Sequence, residues 1–526
     1  MTANALRQAV ALHRAGRLEE AEPLYRAALS AEPGNFDAMH LLGVLRHHRG
    51  RPDEAVGLIE AALRLNPRGA DAQGNLGNAL RALGRLDDAA ACYRTALGIA
   101  PDLAELHAGF GHVLRTQGLY PQAVRHFRRA RLLRPDLPDE AILLCNDLAA
   151  RGEVETAASL LTEILSREPL FAGAWLNLAI LKQRLGDPAA SFDCYRRVRA
   201  IDPKFPSLDY NEARLHLLTG NYEIGWRQFE ARLEVLGIGR LPPGFDQKRW
   251  TGEDLGGGTL LVHAEQGFGD TLQFCRYVEL AAGRARILLS VPPPLLRLLS
   301  GLSGVAEFVR PGQSVPEFDQ YCALLSLPGL LGTTLATIPA EIPYLAADRA
   351  ASAAWHRRLA PLGGVRVGLV WAGGARPNQP ELAPVDARRS LALAGLTPLA
   401  GIPGATFISL QKGDPAAQAA RPPEGMVLHD FTGELEDFAD TAALIEALDL
   451  VISVDTAVAH LAGAMGKPVW LLNRFDTCWR WLLERDDSPW YPSLRLFRQR
   501  RAGDWADVLD RVSAALGAFV AARLGR

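Results

Sequence analysis

The stretch Gly84–Pro101, GRLDDAAACYRTALGIAP, is followed 34 residues later by Gly118–Pro135, GLYPQAVRHFRRARLLRP. The two share a skeleton more than a sequence. Each opens on glycine and closes on proline, with a small, a bulky and a small residue at fixed places between: Ala89, Tyr93 and Ala96, then Ala123, Phe127 and Ala130. Those spacings of 4, 3 and 7 lie on one helical face. Working outward, proline recurs at Pro33, Pro67, Pro101, Pro135, Pro169 and Pro203, and glycine at Gly16, Gly50, Gly84, Gly118, Gly152, Gly186 and Gly220. The glycine falls where a first helix ends and turns. The proline ends a second helix. The same face is built from Ala21, Tyr25 and Ala28, from Ala55, Ile59 and Ala62, from Ala157, Leu161 and Ile164, and from Ser191, Tyr195 and Val198. Each unit is therefore two antiparallel helices with small residues at their closest approach. Six units are complete, and a degenerate seventh ends in GNYEIGWRQFEARLE, Gly220–Glu234.

This period and pattern resemble tetratricopeptide repeats. The resemblance implies a superhelix whose concave groove holds a peptide or protein partner. Asn75, Asn177 and Asn211 share one register position on the first helix, which in that family faces the groove. They are candidates for bonding the backbone of a bound protein; the competing reading is a solvated polar face.

At 526 residues the chain calls for about three domains. Its 48% apolar and 22% charged residues are those of a globular protein, and a net charge of −2 sets up no field for nucleic acid or anionic membranes. Cys92, Cys145, Cys194, Cys275, Cys322 and Cys478 are scattered, without CxxC or metal-ligand spacing, and read as buried thiols in a reducing compartment. The first residues lack a secretory pattern, and no run reaches the roughly 18 apolar residues of a membrane helix. The expected location is cytoplasmic.

The repeats are assigned to residues 2–235, and the Gly/Pro-rich stretch 236–258 reads as a linker. Beyond it the period vanishes and strands alternate with helices, which predicts parallel sheets covered on both faces. A first Rossmann-like unit is expected over 259–350: a strand from Leu260 to Ala264, a helix from Thr271 to about Ala282, and further strands at Ile287–Val291 and Val305–Val309. A second is expected over 360–526, with strands at Val365–Trp371, Thr406–Leu410, Leu450–Val454 and Pro468–Leu472. Two such units with a cleft between them describe the GT-B glycosyltransferase architecture. The expected fold class is thus α plus α/β: an N-terminal all-α superhelix of repeats, then a GT-B domain of two Rossmann-like units.

In doubly wound sheets ligands bind at the carboxyl ends of strands, where this chain gathers polar residues. The segment Leu450–Val469, LVISVDTAVAHLAGAMGKPV, brings Asp455 to a strand's edge, starts a helix at Thr456, and places His460 a turn later. The free amides of that first turn form an anion site. Asp455 is also a natural helix cap, and the two roles are compatible. The segment resembles the D-(S/T)-(A/G)-x-x-H-L-A-x-A-x-G-x-P-V element of glycosyltransferases that include lipopolysaccharide heptosyltransferases. There it contacts the nucleotide-sugar donor. The same resemblance places an R-S pair, here Arg389-Ser390 with Arg388 the weaker partner, against the donor phosphates, after a proline-rich loop from Arg376 to Asp386. Gly373, in the turn after the first strand of that unit, and Gln411-Lys412, ending the next strand, complete the expected donor set. Asp440-Thr441 opens a helix and reads as a cap or a contact.

Gly267-Phe268-Gly269-Asp270 bends the chain at the end of the first strand. It resembles the G-D element of heptosyltransferases, whose aspartate is the proposed general base. Asp270 is the first candidate for that base, with Glu265 and His263 as alternatives and a helix-capping role for Asp270 also open. Trp479, Trp481, Trp490 and Tyr491 are either core or a stacking surface. Their segment is shared with the resembling proteins.

The whole plan resembles bacterial fusions of tetratricopeptide repeats with a heptosyltransferase-like (family 9-like) GT-B domain, among them flagellin O-glycosyltransferases. It implies an inverting, metal-independent protein O-glycosyltransferase. The repeats would recruit the protein acceptor, flagellin being one, and a nucleotide sugar, for flagellin a CMP-nonulosonic acid, would be the co-substrate. No cofactor, nucleic acid or membrane partner is expected. A glycan- or lipid-directed transferase with the repeats as assembly platform, and a scaffold with an inactive GT-B domain, are the other readings.

Overall fold

The computed structural model describes residues 2–135, 139–238, 247–310, 313–374 and 383–525. The chain divides into two compact units, Met1–Leu181 and Lys182–Arg526.

The first unit consists of paired helices: Thr2–Arg14 with Leu18–Ala31, Phe36–His48 with Pro52–Leu65, Ala70–Ala82 with Leu86–Ile99, Ala104–Thr116 with Tyr120–Leu133, and Glu140–Ala150 with Val154–Arg167. The period has a backbone cause. All seven repeat glycines, Gly16 to Gly220, have φ between 73° and 91°, the left-handed turn in which glycine escapes the Cβ penalty. The expected helical face is the core: Ala21, Tyr25, Ala55, Ile59, Ala89, Ala123, Ala157 and Leu161 are all fully buried. A further 34-residue column emerges at Gly43, Gly77 and Gly111 on the first helices. A Cβ at these sites would lie 2.6 Å from Ile59, 2.7 Å from Tyr93 and 2.5 Å from Phe127. The bulky residue of each second helix packs straight onto the partner backbone.

The second unit carries the last repeat helices and two parallel sheets. Its strands are β1 (Lys248–Arg249), β2 (Thr259–His263), β3 (Arg286–Ser290), β4 (Val305–Val309), β5 (Gln320–Ala323), β6 (Val365–Val370), β7 (Ala405–Ser409), β8 (Leu428–Asp430), β9 (Leu450–Val454), β10 (Val469–Asn473) and β11 (Leu494–Arg498). The first sheet runs β1-β5-β2-β3-β4 and the second β11-β10-β9-β6-β7-β8. Every pairing within them is parallel. β9 and β10 are buried along their whole length, as expected for strands covered on both faces. The α plus α/β class follows directly.

Two boundaries shift. The expected linker 236–258 contains β1, and Trp250 beside it is 1% exposed, its N–H bonded to Tyr321 O at 2.8 Å. A two-residue strand borrowed onto β5 has no pattern of its own, so the glycines around it hid it; residues 239–246 lie outside the described set. The seventh repeat does not trail away either. Its helix Tyr222–Phe229 puts Trp226 edge-on to Trp479 at 5.4 Å and Phe274 at 6.2 Å. The tryptophan-rich segment is accordingly core: Trp481, Trp490 and Tyr491 are fully buried. Among the described residues no helix is long and apolar enough to cross a membrane.

Candidate functional site

In the second sheet the strand order reverses between β6 and β9, so the crevice for a ligand lies where these strands end. After β6 come Trp371 to Gly374; after β9 come Asp455 and Thr456. Thr456 occupies the cap position of helix Ala457–Ala464, so Asp455 is not the cap. The Asp455 carboxylate is set among three guanidiniums and the His460 imidazole. Burial opposes its charge, but His460, Arg389, Arg474 and Arg480 outweigh that and hold the carboxyl below its usual range. The Thr456 hydroxyl lies 3.0 Å from the Ser453 hydroxyl.

Arg389 joins the two strand ends. It donates to Asp455 O at 2.8 Å and pairs with Asp386 at 2.6 Å. Its guanidinium lies against Gly373, where a Cβ would stand 2.6 Å from Nε. Gly373 N donates to the Ser390 hydroxyl at 3.0 Å. The structure thus gathers Gly373, Arg389, Ser390, Asp455, Thr456 and His460. Arg388 and Arg389 end a short helix, Ala383–Arg389, in place of the expected loop. Pro384, in its first turn, is tolerated there because no N–H is required. Residues 375–382 lie outside the described set.

Gln411 and Lys412 differ from expectation. The Gln411 side chain accepts from Trp371 N and Ala372 N at 3.0 and 2.8 Å, and donates to Ala372 O and Lys412 O. Its amide is fully occupied in shaping the turn after β6, so it positions that turn and has no group left for a base or phosphate. Lys412 donates to Thr432 O and Leu435 O, both at 2.8 Å. The cap of helix Phe438–Glu446 is Asp437, not Asp440. Asp437 and Asp440 instead bind Arg297 of the first sheet's helix Pro293–Leu299.

The first sheet turns its order at β2 and β5, and the three base candidates follow β2. His263 ends the strand. Burial, aided by Arg232 and Arg249, lowers it to about 4, and its Nε2 is buried without a partner among the described residues. Glu265 is buried against Arg232, with Nη2 at 2.8 Å from Oε1. Burial pushes its carboxyl up while Arg232 pulls back. It anchors the last repeat and has no free face for an acceptor. Gln266 follows in the left-handed region at φ 69°, a strained setting for a side chain. Asp270 stands at the third position of helix Phe268–Phe274, not at its cap. Its Oδ2 accepts from Gly267 N at 2.9 Å, and its Oδ1 pairs with Arg480. Of the three candidates, Asp270 alone both retains partial exposure and faces the other sheet.

The two turns meet. A Cβ on Gly269 would lie 2.9 Å from His460 Cδ2 and 3.4 Å from Ala457 Cα, so only glycine lets the helix starts of both sheets touch. His460 stacks on Trp481 at 5.2 Å, shares Nδ1 with Tyr491 Oη at 2.9 Å, and has Nε2 3.9 Å from Asp455. Burial, with Arg480 adding and Asp455 opposing, holds it at about 4 against an ordinary 6.5. The folded state therefore keeps it neutral while the unfolded chain takes a proton. Its contribution is complete above pH 6.5 and is lost as pH falls toward 4. At pH 5 the expected loss is about 2 kcal/mol, seen as a lower urea midpoint than at pH 7 and as a flatter pH slope in His460→Gln.

Sequence reasoning missed Arg480, Arg474 and the pair Arg388–Asp476, with Nε at 2.9 Å. Arg480 was visible only as the middle of the WRW triplet, whose aromatic neighbours drew the attention. Phe268 was passed over too. It is 40% exposed and meets Phe438 edge-on at 5.3 Å across the sheets. The repeat asparagines are partly engaged: Asn75 bonds His40 at 2.9 Å and Asn211 bonds Ser207 O at 2.9 Å, while Asn177 is half-buried. Among the described residues no three His, Cys, Asp or Glu side chains converge as metal ligands.

Comparison with known proteins bears on the repeats and on part of the second sheet. Tetratricopeptide repeat profiles match residues 12–74, 48–104 and 142–206. The glycosyltransferase family 9 (heptosyltransferase) profile matches residues 417–472, from the helical turn before β8 through β10. The chain therefore carries tetratricopeptide repeats fused to a glycosyltransferase family 9, heptosyltransferase-like domain. It is homologous to Protein FlbA of Caulobacter vibrioides, 29% identical over 424 residues that cover 73% of this chain and 68% of that protein. Among solved structures, a thermophilic tetratricopeptide-repeat protein of Thermus thermophilus is 20% identical over 41% of this chain and 100% of its own (TM-score 0.25). PilF of Pseudomonas aeruginosa is 19% identical over 40% of this chain and 96% of its own (TM-score 0.29).

Proposed function

We propose that the chain is a protein O-glycosyltransferase of GT-B architecture. It would transfer a sugar from a nucleotide-sugar donor to a serine or threonine of a protein recruited by the repeats, with flagellin the first acceptor to test. The observation that carries this reading is the meeting of the Gly267–Asp270 turn with the Asp455–His460 turn at Gly269. An acceptor hydroxyl from one sheet's side and a donor from the other would share one crevice. In this reading Arg389, Thr456 and the first amides of helix Ala457–Ala464 receive the departing phosphate, so cations and helix amides supply the stabilisation without calling on a metal. Asp270 takes the acceptor proton, and the displacement inverts the sugar carbon.

The test has two arms. Calorimetry with CMP, UDP, GDP and ADP should give binding by one of them. Gly373→Val, which forces the Arg389 guanidinium aside, should weaken that binding roughly ten- to a hundredfold. Intact-mass analysis of flagellin from cells with and without this chain should show a sugar-sized difference. Binding of no nucleotide would favour the inactive scaffold, and a shifted glycolipid with unshifted protein would favour the lipid-directed transferase.

A further inference from the structure

Away from the crevice, the second unit holds a cavity of about 330 Å³ between the last repeat helix, Tyr222–Phe229, and the short helical segment after β5, Leu324–Leu330, with the turn that follows it. That is the lower end of the size range of small-ligand sites. Tyr222 and Trp226 form its wall, Glu230 and Ser326 line its inner end, and Glu223 and Arg227 stand on the exposed side of the helix. Trp226 is 4% exposed and its Nε1 has no partner among the described residues.

The charges at the inner end do not balance. Arg232, fully buried, is shared by two carboxylates: Glu230 at 2.7 Å and Glu265 at 2.8 Å. Ser326 bonds both Arg232, at 2.9 Å, and Glu230, at 3.0 Å. Glu223 and Arg227, exposed at the rim, add no net charge, and two carboxylates share one guanidinium beside an aromatic wall. Glu230 is the carboxylate that reaches the cavity, its side chain 35% exposed, and a cation between it and the tryptophan and tyrosine faces is favourable. We propose that this cavity takes a lysine or arginine side chain of the protein acceptor. The cation lies on Trp226 and Tyr222, and its charge completes the Glu230–Arg232–Glu265 cluster. The position suits an acceptor subsite. Ser326 and Glu265 follow β5 and β2, the two strands at which the first sheet's order turns, and the loop holding Glu265 leads into the helix that carries Asp270. A basic anchor here would present a hydroxyl residue a short distance along the same polypeptide. This proposal rests on the reading of the acceptor as a protein.

The test measures the cavity's chemistry without requiring transfer. Full-length Leu330→Cys, a neutral exchange at the lining, is equilibrated under 2-mercaptoethanol with three disulfides. These present an aminoethyl cation, a propyl chain and a carboxyethyl anion, and capture is read by intact mass against the wild-type chain. The cation should be captured at least fivefold more than either other probe, and Glu230→Gln in the same background should bring that preference below twofold. Equal capture, a preference for propyl, or no capture would overturn the proposal. Thr334→Cys, exposed on the same lining, serves as the second position if Leu330→Cys lowers the thermal midpoint. Nucleotide binding and flagellin mass report separately on the transferase reading, so the two can fail independently.

Discussion

Arg232→Met is expected to destabilise the second unit by about 3–5 kcal/mol, the usual consequence of removing one partner from a buried ion pair. The guanidinium is fully buried and makes every contact such a group can make. It reaches Glu265, Glu230, Ser326 and Phe229 O, and lies 4.8 Å from the Phe229 ring. Without it, Glu265 keeps, among the described residues, a long bond from Leu325 N at 3.4 Å. Burial already raises that carboxyl, and losing the arginine raises it further. A folded-state value above the unfolded one gives stability that is present below the unfolded value and lost as pH rises through the folded one. The deficit of Arg232→Met relative to wild type should therefore be smaller at pH 5 than at pH 7.5, although the histidines weaken both proteins at the lower pH. Paired urea titrations at the two pH values check this. A deficit that is constant or grows toward acid would mean that Glu265 is not the group left stranded. Replacing Arg232, Glu230 and Glu265 together by Met, Gln and Leu should recover much of the loss, because no charge then remains without a partner.

The same residues explain what the sequence could disclose. The repeats were legible in detail because each packing contact recurs every 34 residues, and a contact between neighbouring helices is written as a spacing. Tyr93 against Gly77 is one such contact, and Gly84 in its left-handed turn is another such mark. The central strands were legible because β9 is buried along its whole length and β6 at every position but Arg366, so both read as apolar runs. The short strands were not: β1 and β8, at sheet edges, have two and three residues, and β5, between β1 and β2, reads Gln-Tyr-Cys-Ala, without an aliphatic run. At the site, what the sequence could show was nearness along the backbone. Asp455, Thr456 and His460 share one turn, and Arg389-Ser390 fell beside Gly373. What sequence could not supply was partnership at a distance. Arg232 finds Glu265 across 33 residues, and Arg480 finds Asp270 across 210. Neither pair has a local signature. Those two arginines reassign Glu265 to structure and give Asp270 a second role.

That second role makes Asp270 the most informative position in the chain. Its carboxylate pairs with Arg480, which is 8% exposed, also donates to Gln273 Oε1 at 2.8 Å, and lies over the Trp479 ring at 4.2 Å. Asp270→Asn removes a charge from a buried pair, so a stability loss of about 3–5 kcal/mol is expected whatever Asp270 does in catalysis. A fall in activity from this variant alone would decide nothing. Asp270→Asn with Arg480→Met removes both charges, keeps side chains of similar length, and should restore the thermal midpoint to near the wild-type value. The Asn side-chain oxygen can still accept from Gly267 N, so the turn that brings Gly269 against His460 keeps its shape. If Asp270 takes the acceptor proton, this stable double variant should still transfer sugar 10²- to 10⁴-fold more slowly, the range general-base catalysis contributes. Arg480 also acts on Asp455, so nucleotide affinity is measured in parallel and transfer is compared at saturating nucleotide sugar, where a loss of donor binding no longer contributes. Recovery of transfer together with stability would assign Asp270 to holding the turn. The proton acceptor would then have to be sought at His263, whose Nε2 has no partner among the described residues, or on the donor itself.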